Sequence, residues 1–334
     1  MNVLSLFDGI SAGQLALEKA GIKVSNYYVS EVDKFAIQIT TKNFPNTIQL
    51  GDVTKWRNWD IDFSSINLVI GGSPCQGFSF AGKQLNFKDE RSKLFFDYVD
   101  ILNHIKSLNP NVKFLLENVR MKQEYQDVIS EYLGVKPIVI NSSLVSAQNR
   151  VRYYWTNIEN IEQPEDKEIV LKDIIYEFVE DKYYLTAKSI DYMCRLRNGK
   201  PRWEYHKNPL DGKSACLTAN MYKGIPYGVL RIPEATKKGF VELNENEGID
   251  LTFIGSKTRR GRLMKDKSNC LTAANYDYCW YDGYICRKLT PIECERLQTF
   301  PDNYTEGVSD TQRFKALGNS WTVDVITHIF KNLC

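Results

Sequence analysis

A cysteine in a glycine- and proline-rich loop, just past an apolar run, stands where a nucleophile would be placed. Here Asn67-Leu68-Val69-Ile70 runs into Gly71-Gly72-Ser73-Pro74-Cys75-Gln76-Gly77-Phe78-Ser79. A lone cysteine is more often a small buried hydrophobe, so it is position rather than residue type that singles out Cys75. A second apolar run, Lys113-Phe114-Leu115-Leu116, delivers Glu117-Asn118-Val119. An acidic residue at the end of an apolar strand is costly unless it is paired or employed. Neighbouring strands would bring Cys75 and Glu117 to one cleft, and the residues alone leave two readings open: a catalytic thiol–carboxylate pair, or two unrelated structural residues.

The beginning of the chain points to a nucleoside. Its first apolar run is followed by Phe7-Asp8-Gly9-Ile10-Ser11-Ala12-Gly13, a glycine-containing turn into a helix N-terminus. Glu31 follows the second run, 22 residues after Gly9, about where an acidic residue would take ribose hydroxyls. Gly51-Asp52 follows the third and offers a carboxylate to an adenine amino group. The turn lacks the G-x-G-x-x-G pattern, and nothing in it separates a nicotinamide dinucleotide from S-adenosylmethionine.

Elements that position these residues are legible over the first 160 positions, where short apolar runs alternate with helix-period segments. That is the pattern of βα units and a mostly parallel sheet. Strands are expected at 2–7, 25–30, 47–50, 66–71, 112–117 and 136–141. Helices are expected over Gln14 to Ala20, Lys34 to Asn43, Lys93 to Ser107 and Lys122 to Leu133, each followed closely by a Gly or Pro stop signal. Ligands in such sheets bind outside the carboxyl ends of the strands, which is where Phe7–Gly13, Glu31, Asp52, Cys75 and Glu117 fall. An acidic stretch from Glu159 to Asp181 reads as a solvated connector. Beyond it the periodicity weakens, and Ser214-Ala215-Cys216-Leu217-Thr218-Ala219 is echoed by Ser268-Asn269-Cys270-Leu271-Thr272-Ala273, as two similar strands of a small β-rich domain would be. Trp321 to Leu333 reads as an amphipathic helix.

The 334 residues are 43% apolar and 25% charged, a globular composition. Eight Cys without a C-x-x-C pair and only three His argue against both a disulfide framework and a zinc ligand set, so no metal is expected. With no secretory-type start and no apolar run of roughly 18 residues, a soluble protein of a reducing compartment is expected. The net charge of only +2 by itself argues weakly against DNA.

Seven segments, in this order, resemble the motifs of the cytosine-C5 DNA methyltransferase family. They are the glycine turn after Phe7, the acidic Glu31 and Asp52, Pro74-Cys75-Gln76, Glu117-Asn118-Val119, Gln148-Asn149-Arg150-Val151-Arg152, Arg296-Leu297-Gln298-Thr299-Phe300-Pro301 and Gly318-Asn319-Ser320. Only about 185–285, where that family keeps its variable target-recognition region, lacks a match. Ser11-Ala12 departs from the family's usual glycine pair, which puts a tight backbone approach at Ser11 in doubt. Leu6-Phe7-Asp8-Gly9-Ile10 and Val145-Ser146-Ala147 are similar to the animal de novo branch, whereas Gln76 and Gln148 are similar to prokaryotic members.

The resemblance implies an α/β fold with a Rossmann-like, S-adenosylmethionine-dependent methyltransferase sheet and a second, smaller β-rich target-recognition domain. The catalytic and cofactor-binding domain would take 1–180 plus 307–334, and the recognition domain 181–306. Cys75 would add to C6 of a cytosine, which needs a thiol activated from its ordinary pKa of about 8.5. Glu117 would hold N3 and the exocyclic amino group. Arg150 and Arg152, spaced to share one face of a strand, would support the thiolate side and hold the base carbonyl respectively. S-adenosylmethionine would lie against Phe7, Asp8, Gly9, Ile10, Glu31, Val32, Asp52, Val53, Pro74, Leu94, Asn319 and Ser320. The base must leave the stack, so Ser79 and Phe80 would sit at the tip of a loop hinged at Gly77 and Gly82, with Phe80 entering the gap.

The family's partner would be duplex DNA, read by a monomer, with a companion restriction endonuclease acting separately. The implied setting is the cytoplasm of a prokaryotic or phage-infected cell, associated with the nucleoid through DNA and not with a membrane. Two alternatives share the fold: a tRNA cytosine methyltransferase, against which Gln298-Thr299-Phe300-Pro301 speaks, and a non-catalytic regulatory homologue, against which the presence of Cys75 and Glu117 speaks. Local charge fits DNA better than the total does. Arg195 to Lys207, including Arg202, carries +4, and Gly255 to Lys267, with Lys257, Arg259, Arg260 and Arg262, carries +5, leaving −7 for the rest of the chain.

Overall fold

The computed structural model of the chain describes residues 1–73, 90–176, 179–183, 212–219 and 289–333, with the backbone of short strands between 196 and 281. Its centre is a seven-stranded sheet of β1 (Asn2–Leu6), β2 (Asn26–Ser30), β3 (Ile48–Gln49), β4 (Ile66–Gly71), β5 (Lys113–Val119), β6 (Ile138–Asn141) and β7 (Val151–Thr156). The spatial order is β3-β2-β1-β4-β5-β7-β6. Strands β1 to β5 pair in parallel, and β7 enters antiparallel between β5 and the edge strand β6. All six expected strands are present. β7 is not among those six, although the spacing of Arg150 and Arg152 implies a strand at this place; it runs from Val151 to Thr156.

Successive residues of the inner strands enter opposite cores, as a parallel sheet covered on both faces requires. Val3, Leu68, Ile70 and Leu115 face one core, and Leu4, Leu6, Val69, Phe114 and Leu116 the other. The first core is closed by α1 (Ala12–Lys19) and α2 (Lys34–Asn43), the second by α3 (Glu90–Leu108) and α4 (Gln123–Leu133). Local signals set the helix ends. The Asp33 carboxylate caps α2 by accepting from Phe35 N and Ala36 N, and Gly134 ends α4 at φ +72°, a left-handed turn that suits a residue without Cβ.

The chain finishes with α5 (Pro291–Leu297), α6 (Asp310–Asn319) and α7 (Val323–Phe330), all packed on the first core. Leu289, Cys294, Leu297, Phe300 and Tyr304 share that core with α1 and α7, so the expected domain boundary at 306/307 coincides with no change of core. Segment 212–219 also differs from expectation. It contains no strand beyond a single parallel bridge from Ser214 to Gln148, and its Leu217 is buried in the first core; the echo at 268–273 lies outside the described residues. The expected helix from Trp321 is regular only from Val323 to Phe330, followed by a 3-10 turn at Lys331–Leu333. Strands β8 to β14, in order Leu196–Arg197, Lys200–Pro201, Ile232–Pro233, Phe240–Val241, Glu247–Asp250, Arg262–Met264 and Tyr278–Tyr281, form small antiparallel sheets. No helix among the described residues is long and apolar enough to cross a membrane.

Candidate functional site

Between β1 and β4 the chain reverses the direction in which it adds strands, and a crevice opens at their carboxyl ends. A cleft of about 340 Å³ lies there. Its wall joins Phe7, Asp8, Gly9, Ile10 and Glu31 to Gly72, Ser73, Glu117, Arg150, Arg152, Asn319, Ser320 and Trp321. Residues from both ends of the sequence thus meet in one site.

One half is built inside a single β–α–β unit. The turn after β1 needs left-handed backbone at Phe7 (φ 58°), Gly9 (φ 62°) and Ser11 (φ 58°). For the two residues that carry a Cβ this is strained, and contacts must compensate. Phe7 N and Asp8 N both donate to Ser30 O, and Ser11 Oγ donates to the Asp8 carboxylate, as do Ser5 Oγ and Tyr27 OH. The left-handed geometry that suits glycine is therefore adopted at Ser11 and tied down by its own hydroxyl. Burial pushes the Asp8 carboxyl up to about 6, against the three hydroxyl donors that oppose it.

Glu31 accepts from Gly9 N at 2.8 Å on Oε2, and from Val32 N at 2.7 Å and Asp33 N at 2.8 Å on Oε1. These donors fix the carboxylate and leave acceptor capacity on Oε2. An oriented acceptor beside the Phe7 ring and an open glycine turn fits the ribose and adenine of S-adenosylmethionine. Val32, Asp52, Val53 and Leu94 do not line the cleft. Val32 is 71% exposed, Asp52 caps the 3-10 turn Val53–Asn58 by accepting from Thr54, and Val53 and Leu94 pack with the second core.

The other half is assembled from distant segments. In the β5–β7 ladder Val119 faces Arg152 and Glu117 faces Tyr154, so Glu117 and Arg152 are diagonal neighbours on one face. Arg152 Nε lies 2.9 Å from Glu117 Oε1 in an ion pair with both side chains largely shielded from water. Burial is the largest influence on Arg152 and opposes its charge, but the Glu117 carboxylate together with Cys216 and Tyr154 raises its pKa above the usual arginine value. Trp321 Nε1 donates to Glu117 Oε2 at 3.0 Å.

Arg150, buried, directs its guanidinium elsewhere: Nη1 to Leu217 O (2.9 Å) and Cys216 Sγ (3.2 Å), Nη2 to Ser320 O (2.7 Å) and Gly318 O (3.3 Å). It thereby joins segment 212–219 to the turn that carries Asn319 and Ser320. Gln148 and Gln298, both fully buried, extend this knot. Gln148 Nε2 donates to Leu297 O and Gln298 Oε1, Leu217 N donates to Gln148 Oε1, and Gln298 Nε2 donates to Leu317 O and Ser320 O.

Pro74, Cys75, Ser79, Phe80, Arg202, Lys257, Arg259 and Arg260 lie outside the described residues, and Arg262 is described only as backbone at the start of β13. Ser73, two positions before Cys75, ends the described part of that loop, with Asn118 Nδ2 3.5 Å from its O and Oγ. The sequence reading missed Trp321 and Cys216 as members of the site. Trp321 directly follows the Gly318-Asn319-Ser320 motif, which was a usable signal. It also missed α5, although Thr290-Pro291-Ile292-Glu293 spells a capping box with proline at the first helical position.

The profile described as C-5 cytosine-specific DNA methylase matches residues 1–334. An orphan methyltransferase of Bacillus phage SPR, M.SPRI, is 27% identical, with 100% of this chain and 97% of that protein covered. The type II methyltransferase M1.ScrFI of Lactococcus lactis subsp. cremoris is 30% identical, over 99% of this chain and 77% of that protein. Among solved structures, the Entamoeba histolytica methyltransferase EhMeth superposes with a TM-score of 0.62 at 18% identity, covering 100% of this chain and 99% of that one, a likeness of fold alone. The match over the whole length shows that the chain belongs to the C-5 cytosine-specific DNA methylase family, enzymes whose methyl donor in this fold is S-adenosylmethionine.

Proposed function

We propose that the enzyme methylates C5 of a cytosine extruded from a specific sequence of duplex DNA, through a covalent adduct between Cys75 and C6 of the base. The chief support is the Glu117–Arg152 pair, 2.9 Å apart, in the same cleft as the Gly9 turn and Glu31, where β4 ends and leads toward Cys75. The Cys75 thiolate attacks C6, and the electron pair moves toward C5 while Glu117 supports the proton at N3 and accepts a hydrogen bond from the exocyclic amino group. Arg152 stabilises charge at the base carbonyl. S-adenosylmethionine supplies the methyl group that C5 takes up. Loss of the C5 proton then re-forms the double bond and expels Cys75. Extrusion costs a few kcal/mol, and Phe80 fills the gap in the duplex.

Glu31 and the Phe7–Ile10 turn hold the cofactor from one side, Asn319 and Ser320 from the other. The target sequence is read by the region at about 185–285, whose two basic windows contact phosphates, with Arg259, Arg260 and Arg262 facing guanines. The protein acts as a cytoplasmic monomer, either alone or beside a cognate endonuclease. Transfer of labelled methyl groups to duplex DNA and to tRNA, with wild type and Cys75→Ser, tests this. The expected outcome is labelled duplex DNA, unlabelled tRNA and an inactive variant, with wild type trapped covalently on a 5-fluorocytosine duplex. Label on tRNA alone, or full activity in Cys75→Ser, overturns the reading.

A further inference from the structure

Trp321, which the sequence pattern marks only as the start of an amphipathic helix, forms the turn between α6 and α7, and its backbone is held on both sides. Before it, Ser320 O accepts from Arg150 Nη2 at 2.7 Å and Gln298 Nε2 at 3.2 Å. After it, Thr322 Oγ1 donates to Gln298 Oε1 at 2.8 Å and Val323 N donates to Gln298 O at 2.9 Å. From this clamped turn the indole passes two glycines. A Cβ at Gly13 would lie 3.3 Å from Trp321 Cζ3, and one at Gly72 would lie 3.0 Å from Nε1 and 3.1 Å from Glu117 Oε2. The ends of α1 and β4 thus leave the indole a slot that reaches the carboxylate.

At the end of the slot the indole N–H donates to Glu117 Oε2 at 3.0 Å, while Arg152 Nε stands 2.9 Å from Oε1. A glutamate has three side-chain torsions, and a single contact leaves its carboxylate plane free to turn. The indole donor on one oxygen and the ion-paired guanidinium beside the other, from separate elements, fix that plane before any base arrives, and Trp321 supplies its directional hydrogen bond. Each oxygen accepts more than one hydrogen bond, so room remains for the base.

We propose that Trp321 is a positioning residue of the methyl-transfer reaction: its indole N–H holds Glu117 in the plane in which the carboxylate meets N3 and the exocyclic amino group of the extruded cytosine. This rests on the reading of Glu117 as the group that holds the base. Trp321→Phe keeps a ring in the slot and removes the donor. It should lower kcat by about 10- to 100-fold, the range expected for one hydrogen bond to a charged group, with KM for S-adenosylmethionine and for DNA changed less than about threefold.

Because the effect runs through Glu117, Trp321→Phe should change the residual rate of Glu117→Gln by less than about twofold. In free wild-type enzyme labelled at its indole nitrogens, the Trp321 N–H proton should resonate downfield and move upfield in Glu117→Gln, a readout that needs neither turnover nor the Phe variant's stability. Wild-type kcat in Trp321→Phe, an undiminished loss in the Glu117→Gln background, or an indole resonance indifferent to Glu117→Gln overturns the proposal. Wild-type activity of Glu117→Gln alone overturns instead the reading on which it rests.

Discussion

Glu31 and Glu117 face one cleft but are held in opposite ways. The donors to Glu31 come from residues 9, 32 and 33, and those to Asp8 beside it from residues 5, 11 and 27, all within β1, α1 and β2, the turn between β1 and α1, or the turn from β2 into α2. The partners of Glu117 come from residues 152 and 321, and Arg150 next to them binds residues 216, 217, 318 and 320. The Glu31 side of the cofactor pocket is therefore complete once β1, α1, β2 and the turn into α2 have folded. The base half exists only after four segments, far apart in the chain, have closed on each other. Damage to the first should stay local, whereas damage to the second should cost stability and chemistry together.

Gly318 gives the strongest way to break the assembled half. A Cβ there would lie 2.2 Å from Thr218 C, 2.3 Å from Ala219 N and 2.4 Å from Thr218 O, all main-chain atoms that no rotamer change can move aside. Helix propensity alone predicts the opposite sign, since Gly318 lies within α6 and Gly→Ala in a helix gains up to about 1 kcal/mol. Gly318→Ala should instead lose about 3 kcal/mol or more in urea unfolding, because segment 212–219 must leave its seat and release Leu217 from Gln148 and Arg150. Methyl transfer should fall by about two orders of magnitude in the same variant. A stabilised, active Gly318→Ala protein would mean that the two segments do not touch.

Arg150 comes next. Its guanidinium is buried without a carboxylate of its own, and burial, with Arg152 nearby, lowers its pKa from the usual arginine value. Four acceptors hold it there, and three of them are main-chain carbonyls. Arg150→Met fills similar space but takes the guanidinium donors away from those carbonyls, so a loss of about 3 kcal/mol is expected from unfolding midpoints. Arg150→Lys recovers only part of it, because an ammonium cannot reproduce the planar fork. Since Asn319 and Ser320 share the tethered turn, Arg150→Met should also weaken S-adenosylmethionine binding measured by calorimetry. Unchanged cofactor affinity would separate the knot from the cofactor half and sharpen the contrast.

The same contrast explains what the sequence makes legible. Strands β1 to β6, helices α1 to α4 and the residues at their carboxyl ends are encoded by apolar periodicity and nearby Gly, Pro or capping residues. Phe7, Gly9, Glu31 and Glu117 could therefore be placed in the cleft from the chain alone. Positions set by long-range closure carry no such mark. Leu217 and Cys216 look like part of a repeated strand, yet their surroundings are decided by Gln148 and Arg150, more than 60 residues away. Leu289 to Tyr304 follow a region of weak periodicity and so are easily grouped with it, although their apolar side chains complete the first core. Asp52 and Leu94 illustrate the converse. The family resemblance assigns both to the cofactor, but local capping and core packing decide which way they face.

Asp8 offers the smallest effect and the cleanest test that the Glu31 side of the cleft stands by itself. Burial raises its carboxyl from 3.8 to about 6, while burial and the adjacent Asp8 hold the Tyr27 hydroxyl protonated, so that it remains a donor. The folded chain therefore keeps a proton that the unfolded chain releases between pH 3.8 and about 6. Stability contributed by this group falls as pH rises through that window and stays reduced above it, by an amount on the order of 3 kcal/mol at 1.36 kcal/mol per pKa unit. Asp8→Asn stays neutral throughout, and the hydroxyls of Ser5, Ser11 and Tyr27 can each turn to donate or accept. The variant should unfold about 1–2 kcal/mol less readily than wild type at pH 8, with the difference shrinking toward zero near pH 4. The base half is not engaged by Asp8, so the response of Trp321 to Glu117→Gln should be the same in both proteins. A difference independent of pH would place Asp8 in contact with water, and one of opposite sign would mean that the turn after β1 is held together by an ionised carboxylate.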